Sequence, residues 1–295
     1  MRATGDLAML FRRALSPLLL CAIGALSIAA HAAGVAMVTD LQGKATLSSG
    51  GTNRDLTICA ELDTGTKVQL AAGATLVLLY FDAGDEYVFR GPSTIEFKPG
   101  APEVASGAQP EKRSLSLGKG GKDVRIKPVG ITQGAMVMRS VRPVARIQLL
   151  TLNKTRTLES SPEFRWSALE AVPTYGFELS DETGRTVFET KVDATSLRLP
   201  ASVQIREGVP YTWEVSARLP DGKKYASSAD FAIAGADLRA RAESLRPPAN
   251  APLSTRIAYA AWLSGAELKD EARKYWKETA AERPQDARLK ALAEQ

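Results

Sequence analysis

Large apolar side chains recur at spacing two through the middle of this chain, and that period admits little other than β-strands with one face in a core. Phe164 and Trp166, then Tyr175, Phe177 and Leu179, then Leu197 and Leu199, then Tyr211, Trp213 and Val215 all follow it. Successive residues of a strand point to opposite faces, so each set lines one side of its strand. Asp181-Glu182-Thr183-Gly184 and Pro220-Asp221-Gly222 fall between these runs and have the chemistry of hairpin turns. Residues 143–235, with about seven short strands, are therefore expected to form a β-sandwich. The polar residues alternate with the aromatic ones in step, which assigns the rings to core packing rather than to a sugar-binding platform.

The same logic extends upstream, over 33–142. Thr94-Ile95-Glu96-Phe97-Lys98 alternates strictly, whereas Thr75 to Phe81 is a near-continuous apolar run suited to a strand covered on both faces. Asp82-Ala83-Gly84-Asp85 separates that run from Tyr87 and predicts a hairpin. Pro99 to Asp123 is rich in Pro and Gly without apolar periodicity, and reads as a mobile loop. Lys112, Arg113, Lys119, Lys122, Arg125 and Lys127 gather in and just beyond it, making a local basic patch suited to an anionic envelope polymer. Gly118-Lys119-Gly120-Gly121-Lys122 is not a phosphate-binding loop, because Ser116 stands at the first glycine position and Asp123 follows the lysine. From 236 to 295 the period becomes helical: Leu268, Ala272, Tyr275 and Trp276 share a face, Ser264-Gly265 ends the preceding helix, and Pro284 follows.

Three resemblances follow from these residues. Ala60-Glu61-Leu62-Asp63-Thr64-Gly65-Thr66-Lys67-Val68, Gly73-Ala74-Thr75-Leu76-Val77-Leu78, Tyr87-Val88-Phe89 and Ser93-Thr94-Ile95-Glu96-Phe97 resemble the FecR-like periplasmic domain. The resemblance implies a β-roll or sandwich-like fold and, in FecR itself, a membrane-spanning regulator acting on a sigma factor. Here at most a short peptide precedes the apolar N-terminal run, too little for the cytoplasmic signalling domain, so only the exported module is shared. Tyr211-Thr212-Trp213-Glu214-Val215 resembles a core strand of immunoglobulin-like and fibronectin type III-like sandwiches, and the absence of a cysteine pair favours the latter. Ala272, Trp276 and Pro284, preceded by Ala260 and Leu263, resemble the second half of a tetratricopeptide repeat. A single unit cannot make a solenoid, so a helical hairpin docked on the sandwich or on a partner is expected. The fold class is thus mainly β, with a short C-terminal helical segment.

Chemistry is narrowed by the N-terminus. Arg12 and Arg13, the apolar run Leu18 to Ala30, and the small residues Ala30 and Ala32 framing a cut before Ala33 read as a secretory signal over 1–32. Uncut, Pro17 to Val38 is long enough to anchor the chain in a membrane. Cleavage removes His31, the only histidine, together with Cys21, leaving Cys59 as a lone buried thiol. It also takes the formal net charge from +5 to +3, too little for nucleic-acid binding. Histidine-based catalysis and structural zinc are excluded by composition. Carboxylate chemistry stays open at Glu61 with Asp63 and at Asp82, Asp85 and Glu86, which read more simply as strand edges and turns, or as weak calcium ligands. The sequence therefore points to an exported periplasmic binding or scaffold protein without cofactor or catalytic residues. Its partner would be an envelope protein or a cell-wall glycan, and it would touch the membrane only through the uncleaved signal. The alternatives are a carboxylate-dependent envelope polysaccharide hydrolase and an accessory component of FecR-type signalling.

Overall fold

The computed structural model describes residues 34–82, 84–115, 117, 146–170, 172 and 174–294. The signal segment 1–32 and Ala33 lie outside these residues, as do Lys119, Lys122, Arg125 and Lys127.

Ten strands make the first β unit: β1 (Gly34–Gln42), β2 (Ala45–Ser49), β3 (Thr52–Asp55), β4 (Glu61–Asp63), β5 (Lys67–Leu70), β6 (Thr75–Tyr80), β7 (Asp85–Arg90), β8 (Ser93–Phe97), β9 (Pro102–Ser106) and β10 (Glu111–Ser114). They form two antiparallel sheets, ordered β10-β7-β6-β1-β4 and β3-β2-β5-β8-β9. Ala36, Val38, Leu76, Leu78, Tyr80 and Phe89 of the first sheet share one core with Leu47, Val68, Leu70, Ile95 and Phe97 of the second. The hairpin expected around Gly84 is present, with Thr75 opposite Arg90 and Leu79 opposite Glu86. Gly91 sits where the chain leaves one sheet for the other; a Cβ there would lie 1.8 Å from the Ala71 carbonyl oxygen, so no other residue fits.

The mobile loop expected over 99–123 is corrected in its first part. Pro102–Ser106 pairs with β8, and Glu111–Ser114 pairs with β7. Both are edge strands with mostly exposed side chains, held by backbone hydrogen bonds that leave no apolar period in the sequence. Pro102 opens its strand, where a missing N–H is tolerated.

Seven strands build the second unit: β11 (Thr155–Thr157), β12 (Glu163–Arg165), β13 (Tyr175–Ser180), β14 (Thr186–Val192), β15 (Ser196–Arg198), β16 (Pro210–Arg218) and β17 (Lys224–Ile233). A five-stranded sheet, β11-β17-β16-β13-β14, accompanies the pair β12-β15. The spacing-two residues converge as expected: Phe164 lies 5.0 Å from Phe177 and 5.2 Å from Trp213, edge to face in both pairs. The Tyr211 hydroxyl accepts the Arg206 N–H at 3.1 Å, a tyrosine folded back onto the upstream backbone as in Greek-key sandwiches.

Four helices follow: α1 (Ala236–Leu245), α2 (Leu253–Gly265), α3 (Lys269–Glu282) and α4 (Ala287–Ala293). Their docking is wider than expected, reaching the first β unit as well as the second. Ile257, Ala258, Tyr259, Ala260, Ala261 and Leu263 make α2 buried nearly all round, and it packs in one cluster with Met37, Ile58, Cys59 and Leu79 on the outer face of the first β unit. That explains the near-continuous run of β6: Leu76 and Leu78 face the sheet partner, whereas Leu79 faces the helices. The described residues consequently form one compact unit.

Candidate functional site

The N-terminus of α3 is fastened to the second β unit by polar groups. The Lys269 N–H donates to Thr155 Oγ1 at 2.9 Å, and Asp270 Oδ2 accepts the Leu152 N–H at 2.7 Å. Leu152 has φ +53 and Lys154 φ +51, left-handed values that ordinary side chains disfavour. The turn holds them because Leu152 is gripped on both sides: its C=O accepts from Trp213 Nε1 at 2.9 Å.

Between this turn and α3 opens a cleft of about 1150 Å³. Arg146 to Thr151 form its floor, Ser227 and Ser228 of β17 one wall, and Asp270, Arg273, Lys274 and Lys277 of α3 the other. The floor runs extended beside β12: Leu150 N–H donates to Arg165 C=O at 2.8 Å, and Ser167 N–H donates to Gln148 C=O at 2.8 Å. Leu150 is 47% exposed, the one exposed large hydrophobic among the described residues.

The cleft is positive. Asp270 already accepts from Leu152, and its Oδ1 pairs with Arg273 at 2.8 Å. Lys274 is held above its ordinary range; burial works against its charge, and Glu271 at 2.9 Å with Glu159 at 3.9 Å outweighs that. Arg146, Arg165 and Lys277 have no ion-pair partner among the described residues. Three cations thus face the cleft, and among the described residues only Glu294 is an uncommitted acid on its lining.

The basic patch read from the sequence is not assembled by its two described members. Lys112 and Arg113 are neighbours on β10 and point to opposite faces of the sheet. Lys112 pairs with Asp85 at 2.7 Å, which holds its ammonium above the usual range, and Arg113 pairs with the buried Glu86 at 2.6 Å. The same pairs engage two of the carboxylates set aside for catalysis. Glu61 lies on β4, its carboxyl raised by burial and by Asp63, and it lines neither the cleft nor the smaller pocket beside β17. None of Arg146, Arg165, Lys274 and Lys277 stands out in the sequence. Nothing local marks them, because the wall and the floor meet only in the folded chain.

Comparisons with known proteins add little. No family model and no curated protein matches the chain. Among solved structures, CopC from Methylosinus trichosporium OB3b is similar at 19% identity and TM-score 0.24, covering 30% of this chain and 94% of its own. The fn3 domain of the human collagen alpha-1(XX) chain is similar at 14% identity and TM-score 0.24, covering 40% and 95%. The sandwich assignment rests on the strand order and cores described above. No helix among the described residues is long and apolar enough to cross a membrane.

Proposed function

We propose that this chain is an exported, non-enzymatic binding and scaffold protein of the cell envelope whose working surface is the basic cleft. The observation that carries the reading is the set Arg146, Arg165 and Lys277, cationic and without described ion-pair partners around a large open cleft. Clustered like charge inside a concave wall attracts an oppositely charged partner, here an anionic envelope protein or cell-wall glycan. The rest of the molecule acts as a frame. The FecR-like reading of the first β unit, the fibronectin-like reading of the second and the tetratricopeptide-like reading of α2 and α3 belong to this proposal, as does an accessory place in FecR-type envelope signalling.

Retention of the purified protein on isolated cell envelope tests it. Retention should fall as salt rises, and fall again in an Arg165→Glu, Lys277→Glu double variant; indifference to both would remove the cleft from the function. Export is tested by N-terminal sequencing, which should read from Ala33; Met1 on membrane-embedded protein would refute it. The hydrolase reading has one observation in its favour, the raised Glu61 carboxyl beside Asp63. Release of soluble sugar from wall glycan, abolished by Glu61→Gln, would establish it.

A further inference from the structure

The cleft is bounded by two incompletely paired strand edges as well as by charge. The extended floor pairs with β12 on one side only, through Gln148 and Leu150. In an antiparallel pair the intervening residue directs its N–H and C=O the other way, and those of Leu149 have no partner among the described residues. Across the cleft, β11 covers the edge of β17 over Phe231–Ile233, and the Lys154 N–H donates to the Asp230 C=O, so Ser227 and Ser228 lie beyond the covered stretch. There Ser227 Oγ donates to the Ile147 C=O of the floor at 2.6 Å, which leaves the groups of Leu149 as the open part of the floor's edge. An unpaired edge is a template for one more strand.

Resting on the reading of the cleft as the binding surface, we infer that its ligand is an extended acidic segment of a protein partner, taken up by strand addition. Backbone pairing at Leu149 supplies register. Acidic side chains at alternate positions meet Arg146, Arg165 and Lys277, and an apolar residue between them covers the exposed Leu150. Strand addition divides its labour in this way, main-chain bonds giving affinity and alternate side chains giving selectivity. The volume of about 1150 Å³ exceeds the usual range for a small-molecule site, which also favours a polymer segment. A glycan could answer the charge, but it has no regular row of N–H and C=O groups to offer a strand edge.

The test is fluorescence anisotropy with the full chain and a short labelled peptide alternating glutamate and valine. Saturable binding is expected, weakening as salt rises and dropping about tenfold or more in the Arg165→Glu, Lys277→Glu double variant. Arg165→Lys and Lys277→Arg should largely retain it, and an unchanged melting midpoint in every variant shows that the fold is intact. The decisive comparison is the same peptide N-methylated at alternate residues, equal in charge but unable to pair along an edge. Loss of binding on methylation, with polygalacturonate a poor competitor, supports strand addition. Equal binding of the methylated peptide, or ready displacement by polygalacturonate, overturns it in favour of charge alone. If the peptide fails to bind while envelope retention still depends on Arg165 and Lys277, the peptide inference falls and the scaffold reading stands. If retention is also indifferent to them, both fall.

Discussion

Cys59 occupies a left-handed position, φ +60, beneath the helices, where burial pushes its thiol up to about 12 against the opposing pull of Arg288. A thiol that high carries almost no thiolate near neutral pH, so the residue behaves as a small hydrophobe. Labelling by a thiol reagent at pH 8 is therefore expected to follow the rate of unfolding; a fast native-state reaction would contradict this. An acid whose folded value is raised stabilises the fold fully below its unfolded value, about 8.5, and loses that contribution as pH climbs toward 12. Asp181 shows the opposite case. Its carboxylate accepts from the Thr183 hydroxyl at 2.6 Å, from two backbone N–H groups and from Arg185, and is held down to about 2. The stabilisation is present above the unfolded value of about 4 and is lost as pH falls through 2. Asp181→Asn should thus lower the melting midpoint at pH 7, with the gap to the parent protein closing by pH 2. A gap that persists at pH 2 would mean that shape, not charge, matters there.

At the scale of elements, β10 is the instructive case. Its four side chains are exposed, yet Arg113 reaches Glu86, whose side chain is only 4% exposed. Removing the guanidinium strands a buried carboxylate, at a cost of about 3–5 kcal/mol. Lys112 pairs with Asp85 near the surface, where solvent and salt screen the pair and it adds little. Arg113→Gln should accordingly lower stability in denaturant titration, Lys112→Gln should be close to neutral, and Glu86→Gln added to Arg113→Gln should recover part of the loss. Equal effects of the two single changes would refute the assignment. The pairing of β9 and β10 also moves the expected protease-sensitive stretch: 102–106 and 111–114 should resist cleavage, contrary to a loop running from Pro99.

Across the whole molecule, α3 is tied at both ends. Lys269 and Asp270 hold one end to the second β unit, and Arg283 reaches Asp40 of β1 at 3.3 Å at the other. With α2 packed on Met37 and Leu79, the helices join two sandwiches that the sequence presents as separate segments. One cooperative unfolding transition is expected. Deleting 236–295 should expose the outer face of the first sheet and produce strong binding of a hydrophobic dye. Two well-separated transitions, or a clean folded protein after the deletion, would show that the helices are an accessory. Asp270→Ala, which leaves the buried Leu152 N–H without its acceptor, should cost about 1–3 kcal/mol and loosen the cleft with it.

What the sequence determined by itself is what local periodicity records. Spacing two put Phe164, Phe177 and Trp213 into one core, turn residues at Gly84 and Gly184 marked hairpins, and helical spacing placed Leu268, Ala272 and Trp276 on a buried face, because alternation reports which side of an element leaves water. Only the tertiary structure decided the rest. β9 and β10 are held by backbone bonds that leave no trace in side-chain pattern. The face on which α2 docks depends on two separately folded surfaces matching. The cleft exists because Leu152 meets Asp270, 118 residues away, so charges dispersed along the chain become one site only when the elements that carry them are packed together.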